Sequence, residues 1–357
     1  DVLDGIRGIA AFMVVLHHYT QYSSVPTLNG SSGVVDLFFM LSGFVLMCSY
    51  ARKIAGGMSL GAFAMARLSR LAPMYLVGLA LGLLAALIHL ARGWHDALEP
   101  TAVMTAFGLN LVLIPYLNGH QWPFGDAQIP GPTFPLNDPS WSMFFQLFAN
   151  LVFYGCVIGL LRARQLRRGI ILISACSLLV LAALLVRSHE FNAGWGTENF
   201  WNGFPRVIGW FFLGAVIFMF HDRLPTAYPW LTLCLFGLML TMFVFSGGRG
   251  RWLCLFLVSP SLILLASRVE VSGRMHTLCA KLGDVSYPLY ITHFPIYRLL
   301  QEIDVVHRAD PWLQFDLSLA AALLAAVAFT RLDRSIQRVL QERRRASARS
   351  ADRAIPG

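Results

Sequence analysis

Charge is what this sequence has least of. Only 13% of its 357 residues are Asp, Glu, Lys or Arg, about half the share that a soluble domain carries, which excludes a water-facing globule of this size. Cysteine pairing is missing as well. The six cysteines (Cys48, Cys156, Cys176, Cys234, Cys254, Cys279) are scattered, mostly within apolar runs, and form no C-x-x-C. That argues against a disulfide framework and a zinc site, so no metal is expected. Disorder is excluded by an aromatic share of 13%. What is present is apolar sequence, 56% of the chain at a mean hydropathy of +0.60, in long runs from one end to the other. The chain reads as an all-α, polytopic membrane protein.

A spanning helix needs about 20 mostly apolar residues. That length places ten of them near 5–20, 35–50, 72–91, 140–160, 169–187, 204–220, 228–245, 251–267, 283–300 and 312–330. A shorter apolar run, 102–117, precedes a loop at 118–139 rich in Pro, Gly and Asn, and reads as a re-entrant or interfacial segment. Basic residues set the orientation. With ten crossings and both termini in the cytoplasm, 21 of the 28 Lys and Arg lie inside; the seven outside are Arg92, Arg187, Arg206, Arg249, Arg251, Arg298 and Arg308. This is the asymmetry of the positive-inside rule, and it accounts for the net charge of +9 without nucleic acid. Residues 1–335 are thus expected to form one membrane domain. Residues 336–357, with Arg343, Arg344, Arg345, Arg349 and Arg353, are expected to form a basic cytoplasmic tail on anionic lipid. The first run holds Asp4 and Arg7 and lacks an A-x-A cleavage site, so it is expected to be retained; with no leading Met, a preceding stretch is expected. No internal repeat or appended soluble domain is read.

Ionisable groups inside a membrane are costly and point to function. Arg7 and His18 are eleven residues apart, about 20° on a helical wheel, and share a stripe from which His17 points away. His18 ends one helix and Asp36 opens the next, at similar depth. Two readings stand: a carboxylate–imidazole pair suited to general base catalysis, or Asp36 as a helix cap satisfied by His18. Trp141 and Ser142 open a later helix, where Ser142, Gln146 and Asn150 repeat at i, i+4, i+8 and either glue helices or line a cavity. Ser286, Tyr290, His293 and Tyr297 form another stripe, facing the outer half, with Tyr287 beside it. Arg67 and Arg70, at i, i+3 before Pro73, suit phosphate or serve topology alone.

Together these segments resemble the acyltransferase-3 family, integral-membrane O-acyltransferases that decorate bacterial polysaccharides, lipopolysaccharide and peptidoglycan. The matching pieces occur in family order: Leu3-Asp4-Gly5-Ile6-Arg7-Gly8-Ile9-Ala10-Ala11 with His18; Val35 to Phe44; Arg67 to Pro73; Pro139-Ser140-Trp141-Ser142; Arg206 with Gly214; and Leu282 to His293. They cover residues 3 to about 335. The resemblance implies a ten-helix bundle in the bacterial inner membrane that moves an acyl group, usually acetyl, from acyl-CoA to a hydroxyl. The acceptor would be a sugar, polysaccharide or cell-envelope glycan.

Carried over by position, His18 is the essential histidine and Asp36 its carboxylate neighbour. Arg7, Arg67 and Arg70 serve the CoA donor, and His293 lines the site. Ser142, Tyr290 and His293 are candidates for the oxyanion, with Trp141 and Arg206 beside the substrate. Acyl-CoA is a donor substrate, no tightly bound cofactor is expected, and membrane lipids are the remaining partner. One departure stands out: the family usually has a glutamate where this sequence has Gln146, which cannot take a proton or carry charge. The alternatives are acylation of a small secreted metabolite, a proton-coupled transporter using His18, Asp36 and His293, or a relative that binds donor without transferring it.

Overall fold

The computed structural model describes residues 2–26, 33–93, 99–117, 131–162, 164–188, 193–223, 228–245 and 248–353. Thirteen helices occur among them. They are α1 (Val2–Tyr22), α2 (Val34–Ala55), α3 (Leu60–Ala91), α4 (Pro100–Leu111), α5 (Trp141–Arg162), α6 (Leu166–Ser188), α7 (Gly203–Phe220), α8 (Pro229–Phe245), α9 (Gly248–Leu253), α10 (Ser259–Ala266), α11 (Gly273–Gln301), α12 (Asp304–His307) and α13 (Pro311–Arg353). No strand is present among the described residues; one isolated bridge joins Pro132 and Gly196.

Six segments are long and apolar enough to cross a membrane: Val34–Ala55, Leu60–Ala91, Asp138–Arg162, Leu166–Leu184, Phe200–Arg223 and Pro311–Glu342. Pro229–Phe245 and Gly250–Ala266 are shorter apolar helices. The second of these is α9 and α10 joined by a π-helical turn over Cys254–Val258. Helices α1 and α11 are set against each other. Residues Ser286 to Arg298 of α11 are almost all buried, so its Tyr and His side chains are kept from lipid.

The boundaries differ from the sequence expectation in three places. Helix α3 begins at Leu60, where Ser59 accepts from the Ala62 amide, so Arg67 and Arg70 lie within the helix and not before it. Pro73 is accommodated inside it. Helix α4 has 12 residues, about 18 Å at 1.5 Å per residue, short of the roughly 30 Å hydrocarbon core; it folds back on α3, with the Tyr75 hydroxyl bonded to the Asn110 carbonyl. Helix α13 continues to Arg353. Residues 118–130 and the tail side chains from Arg343 onward lie outside the described residues.

Glycine sets the helix pairing. A Cβ on Gly43 would fall 1.8 Å from the Phe211 carbonyl oxygen, and one on Gly214 would fall 1.9 Å from that of Met40. Only hydrogen fits there, and α2 and α7 cross backbone to backbone. Gly5 and Gly8 of α1 meet Cys279 and Leu282 of α11, and Gly283 meets Asp4. The contacts advance in step along both chains (Gly5 with Cys279, His18 with His293, Tyr22 with Tyr297), so α1 and α11 are parallel. Helices α3 and α11 are parallel as well, Leu71 meeting Tyr287 and His89 meeting Glu302. Helices α11 and α13 are antiparallel, with Asp284 bonded to Arg334.

Candidate active site

Two polar regions lie at opposite ends of α1. At its start, Arg7 donates to the Ser286 hydroxyl and the Gly283 carbonyl, each at 3.1 Å, and pairs with Asp4 at 3.1 Å. At its end, eleven residues or about 16 Å further on, His18 Nδ1 lies 2.8 Å from His293 Nε2, with the rings stacked at 5.0 Å. His293 is fully buried while His18 is part-exposed.

The proton positions follow from His293. Its Nδ1 faces the carbonyls of Tyr290 at 2.8 Å and Leu289 at 3.2 Å. Carbonyl oxygens only accept, so Nδ1 carries the proton and Nε2 of neutral His293 is an acceptor. His18 Nδ1 then donates to it, which leaves the lone pair on His18 Nε2. That is the state a general base requires, and His293 fixes it as a triad carboxylate would. The Tyr19 hydroxyl donates to the His293 carbonyl at 2.7 Å and ties the same two helices.

This arrangement corrects the pairing expected from the sequence. Asp36 is not the partner of His18: both its oxygens are taken by Arg206, at 2.7 Å from Nε and 3.0 Å from Nη2. Nor is it a cap; Gly33 holds that position. Asp36 and Arg206 are 0% and 1% exposed. Arg206 also donates to the Ala193 carbonyl at 2.7 Å and lies over the Trp141 ring at 5.4 Å. Both readings of Asp36 set it against His18, whereas the Gly43–Gly214 crossing of α2 and α7 brings Arg206 to it. The Arg206 fork thus faces Asp36 and the Ala193 carbonyl, and Trp141 packs on the ion pair and on Phe39.

Ser142 and Tyr290 do come together. Their hydroxyls are 2.8 Å apart, and Ser142 donates to the Pro139 carbonyl at 2.8 Å. Tyr290 lies one turn before His293 on α11, so this pair borders the imidazoles. From Ser142 the stripe runs along α5 through Gln146 to Asn150, all buried. With the Asn150 amide turned so that its carbonyl accepts from Arg67 Nε at 3.3 Å, its NH2 donates to the Gln146 main-chain carbonyl at 3.1 Å. The stripe is thus a buried seam of about 12 Å between Tyr290 at one end and Arg67 at the other. Gln146 stands midway along it, not beside His18. Ser286 meets Arg7, and Tyr287 donates to the Leu71 carbonyl.

Arg70 pairs with Asp333 of α13 at 3.2 Å and lines a cleft of about 210 Å³ with Asp284, Thr330, Arg334, Gln337, Arg338 and Gln341. Sequence reasoning missed the α13 residues, which resemble an ordinary basic helix end. It also missed Tyr22, whose ring lies 5.8 Å from that of His18, and Asp138. A further buried pair, His89 and Glu302 at 2.9 Å, joins the ends of α3 and α11 and carries no local sequence signal. Among the described residues no group of three or more His, Cys, Asp or Glu is placed to hold a metal.

An all-helical membrane bundle with a neutral histidine pair at one end and arginines at the other defines the class. A family model described as an acyltransferase domain matches residues 1–331, and the chain belongs to the acyltransferase-3 family. It is therefore a multi-pass membrane protein of an acyltransferase family. It is similar to "Protein 2 in picA locus" of Rhizobium radiobacter, at 33% identity over 200 residues, 53% of this chain and 95% of that relative. No solved structure matches it.

Proposed function

We propose that this chain is an acyl-CoA-dependent O-acyltransferase of the bacterial inner membrane. It moves an acyl group, acetyl in the simplest case, to a hydroxyl of a sugar, polysaccharide or cell-envelope glycan. Residues 1–335 form the membrane domain with ten crossings, and 336–357 form a basic tail, with both termini cytoplasmic. Support for that topology comes from the helix directions. The parallel sense of α1, α3 and α11, and the antiparallel α11 and α13, are what odd- and even-numbered crossings require.

The observation that carries the reading is the 2.8 Å contact of His18 Nδ1 with His293 Nε2, whose own Nδ1 faces two carbonyls. The donor's phosphates sit near Arg67 and Arg70, and its thioester lies along the Ser142–Gln146–Asn150 seam. His18 Nε2 takes the proton of the acceptor hydroxyl as that oxygen attacks the thioester carbonyl. The C–O bond forms, the C–S bond breaks, and the thiolate leaves to be protonated as free CoA. The Ser142 proton is held by the Pro139 carbonyl and that of Tyr290 by Ser142, so the oxyanion role falls to a Tyr290 hydroxyl that turns from Ser142 to the developing charge, a contribution of about 3 kcal/mol for one donor in comparable sites. Gln146 takes no proton in this scheme and acts by hydrogen bonding within the seam.

The test uses membranes holding the chain, its Gln146→Glu variant and its His18→Ala variant, supplied with labelled acetyl-CoA. Transfer by the parent chain and loss in His18→Ala is the expected result. Turnover by Gln146→Glu alone would make residue 146 an acid–base member of the site. No turnover by either would end the acetyl-transfer reading.

A further inference from the structure

Asp138 belongs to the three-residue turn Asp138–Ser140 that leads into α5. Its neighbours on both sides are bonded to α11. The Asn137 side chain donates to the Ile291 carbonyl at 2.8 Å, the Tyr290 hydroxyl reaches the Pro139 carbonyl at 3.4 Å, and Ser142 meets Tyr290. The carboxylate is therefore held in place. Through Pro139 the turn meets Tyr290, whose ring lies 6.2 Å from that of His293, and the Tyr22 ring lies 5.8 Å from that of His18. Asp138 Oδ1 is enclosed, yet takes no hydrogen bond from any described residue. An enclosed carboxylate oxygen without a donor is an expensive arrangement that a donor from an arriving group would relieve, and Asn137 Oδ1 and Ser140 Oγ of the same turn share it. Asp138, Tyr22 and His18 are each part-exposed as residues.

We propose that Asp138 is an acceptor-positioning residue, whose carboxylate takes a hydrogen bond from a second hydroxyl of the molecule that His18 deprotonates. The inference rests on the acyltransferase reading and sharpens its acceptor. Two acceptor atoms, His18 Nε2 and Asp138 Oδ1, call for two hydroxyls on one ligand, and the part-exposed Tyr22 ring beside His18 is an aromatic surface for a pyranose. The acceptor is accordingly a polyhydroxylated ring, and a monohydric alcohol of the same size engages His18 alone.

The test reads carbethoxylation of His18 by diethylpyrocarbonate in the purified full chain, site by site by peptide mass. Methyl glucopyranoside and cyclohexylmethanol are the added ligands. The glycoside should protect His18 and the alcohol should not. In Asp138→Ala the glycoside concentration for half-protection should rise about tenfold or more, with Asp138→Asn intermediate. An unchanged melting temperature of Asp138→Asn keeps the comparison free of misfolding. Equal protection in parent and variants, or no protection of the parent chain, overturns the proposal. Label transfer from acetyl-CoA, measured in parallel, separates the two readings. Transfer with Asp138-independent protection removes the role of Asp138 and leaves the transferase; Asp138-dependent protection without transfer keeps the hydroxyl site and removes the transferase.

Discussion

Two helix pairs in this molecule are built alike and used differently. Helices α1 and α11 run parallel and touch through Gly5, Gly8 and Gly283; α2 and α7 touch through Gly43 and Gly214. Each pair carries a polar contact between helices. In α2–α7 it is the Asp36–Arg206 ion pair, sealed at 0% and 1% exposure, with two hydrogen bonds between the partners and a third to Ala193. In α1–α11 it is a neutral imidazole pair, one ring part-exposed, with a lone pair left on His18. A sealed charge pair whose geometry is complete works as a rivet, since breaking it strands a buried ion. An open neutral pair can accept a proton at little cost to the fold. Charge in the membrane thus marks two different things here, and access tells them apart.

The comparison can be broken most violently at the glycines. Gly43→Leu or Gly214→Leu places carbon within 2 Å of a carbonyl oxygen, and neither variant should yield monodisperse protein on size exclusion in detergent. Asp36→Ala should come next, at about 3–5 kcal/mol of stability, read as a large drop in melting temperature; pairing it with Arg206→Met should restore part of the loss. His18→Ala should do the reverse, lowering acyl transfer by about 10²–10⁴-fold with melting nearly unchanged. If Asp36→Ala instead melted like the parent chain and lost only activity, the division into rivet and reactive pair would collapse.

Smaller effects sharpen it. His293→Ala frees the His18 ring to take the other tautomer and should cost roughly 10²-fold in transfer. His17→Ala should leave transfer unchanged, and equal losses would mean that the two imidazoles are not distinguished by their neighbours. The smallest effect belongs to the exposed start of α12. There the hydrogen bond from Arg92, at 2.7 Å, holds the Asp304 carboxyl below the usual carboxylate range. A depressed pKa stabilises the fold above the unfolded carboxylate value, and the contribution is lost as pH falls through the folded one. Asp304→Asn should flatten that acid-side slope in a melting-temperature series without altering transfer.

Much of the site was legible in the sequence. The eleven-residue spacing put Arg7 and His18 on one stripe, and the i, i+4, i+8 pattern of Ser142, Gln146 and Asn150 marked a buried seam. Family-like motifs named His293, Gly214 and Arg206, but no spacing said what each would touch. Asp138 was passed over because a lone acidic residue between Asn137 and Pro139 has the ordinary look of a turn.

Sequence by itself determined the class of protein and which face of each helix is polar, because hydropathy and the 3.6-residue period are properties of neighbouring residues. Only tertiary structure decided that Asp36 belongs to Arg206 and His18 to His293, partners 170 and 275 positions away. Those choices depend on where glycines let two backbones meet, and a close approach is a property of the pair, present in neither helix alone.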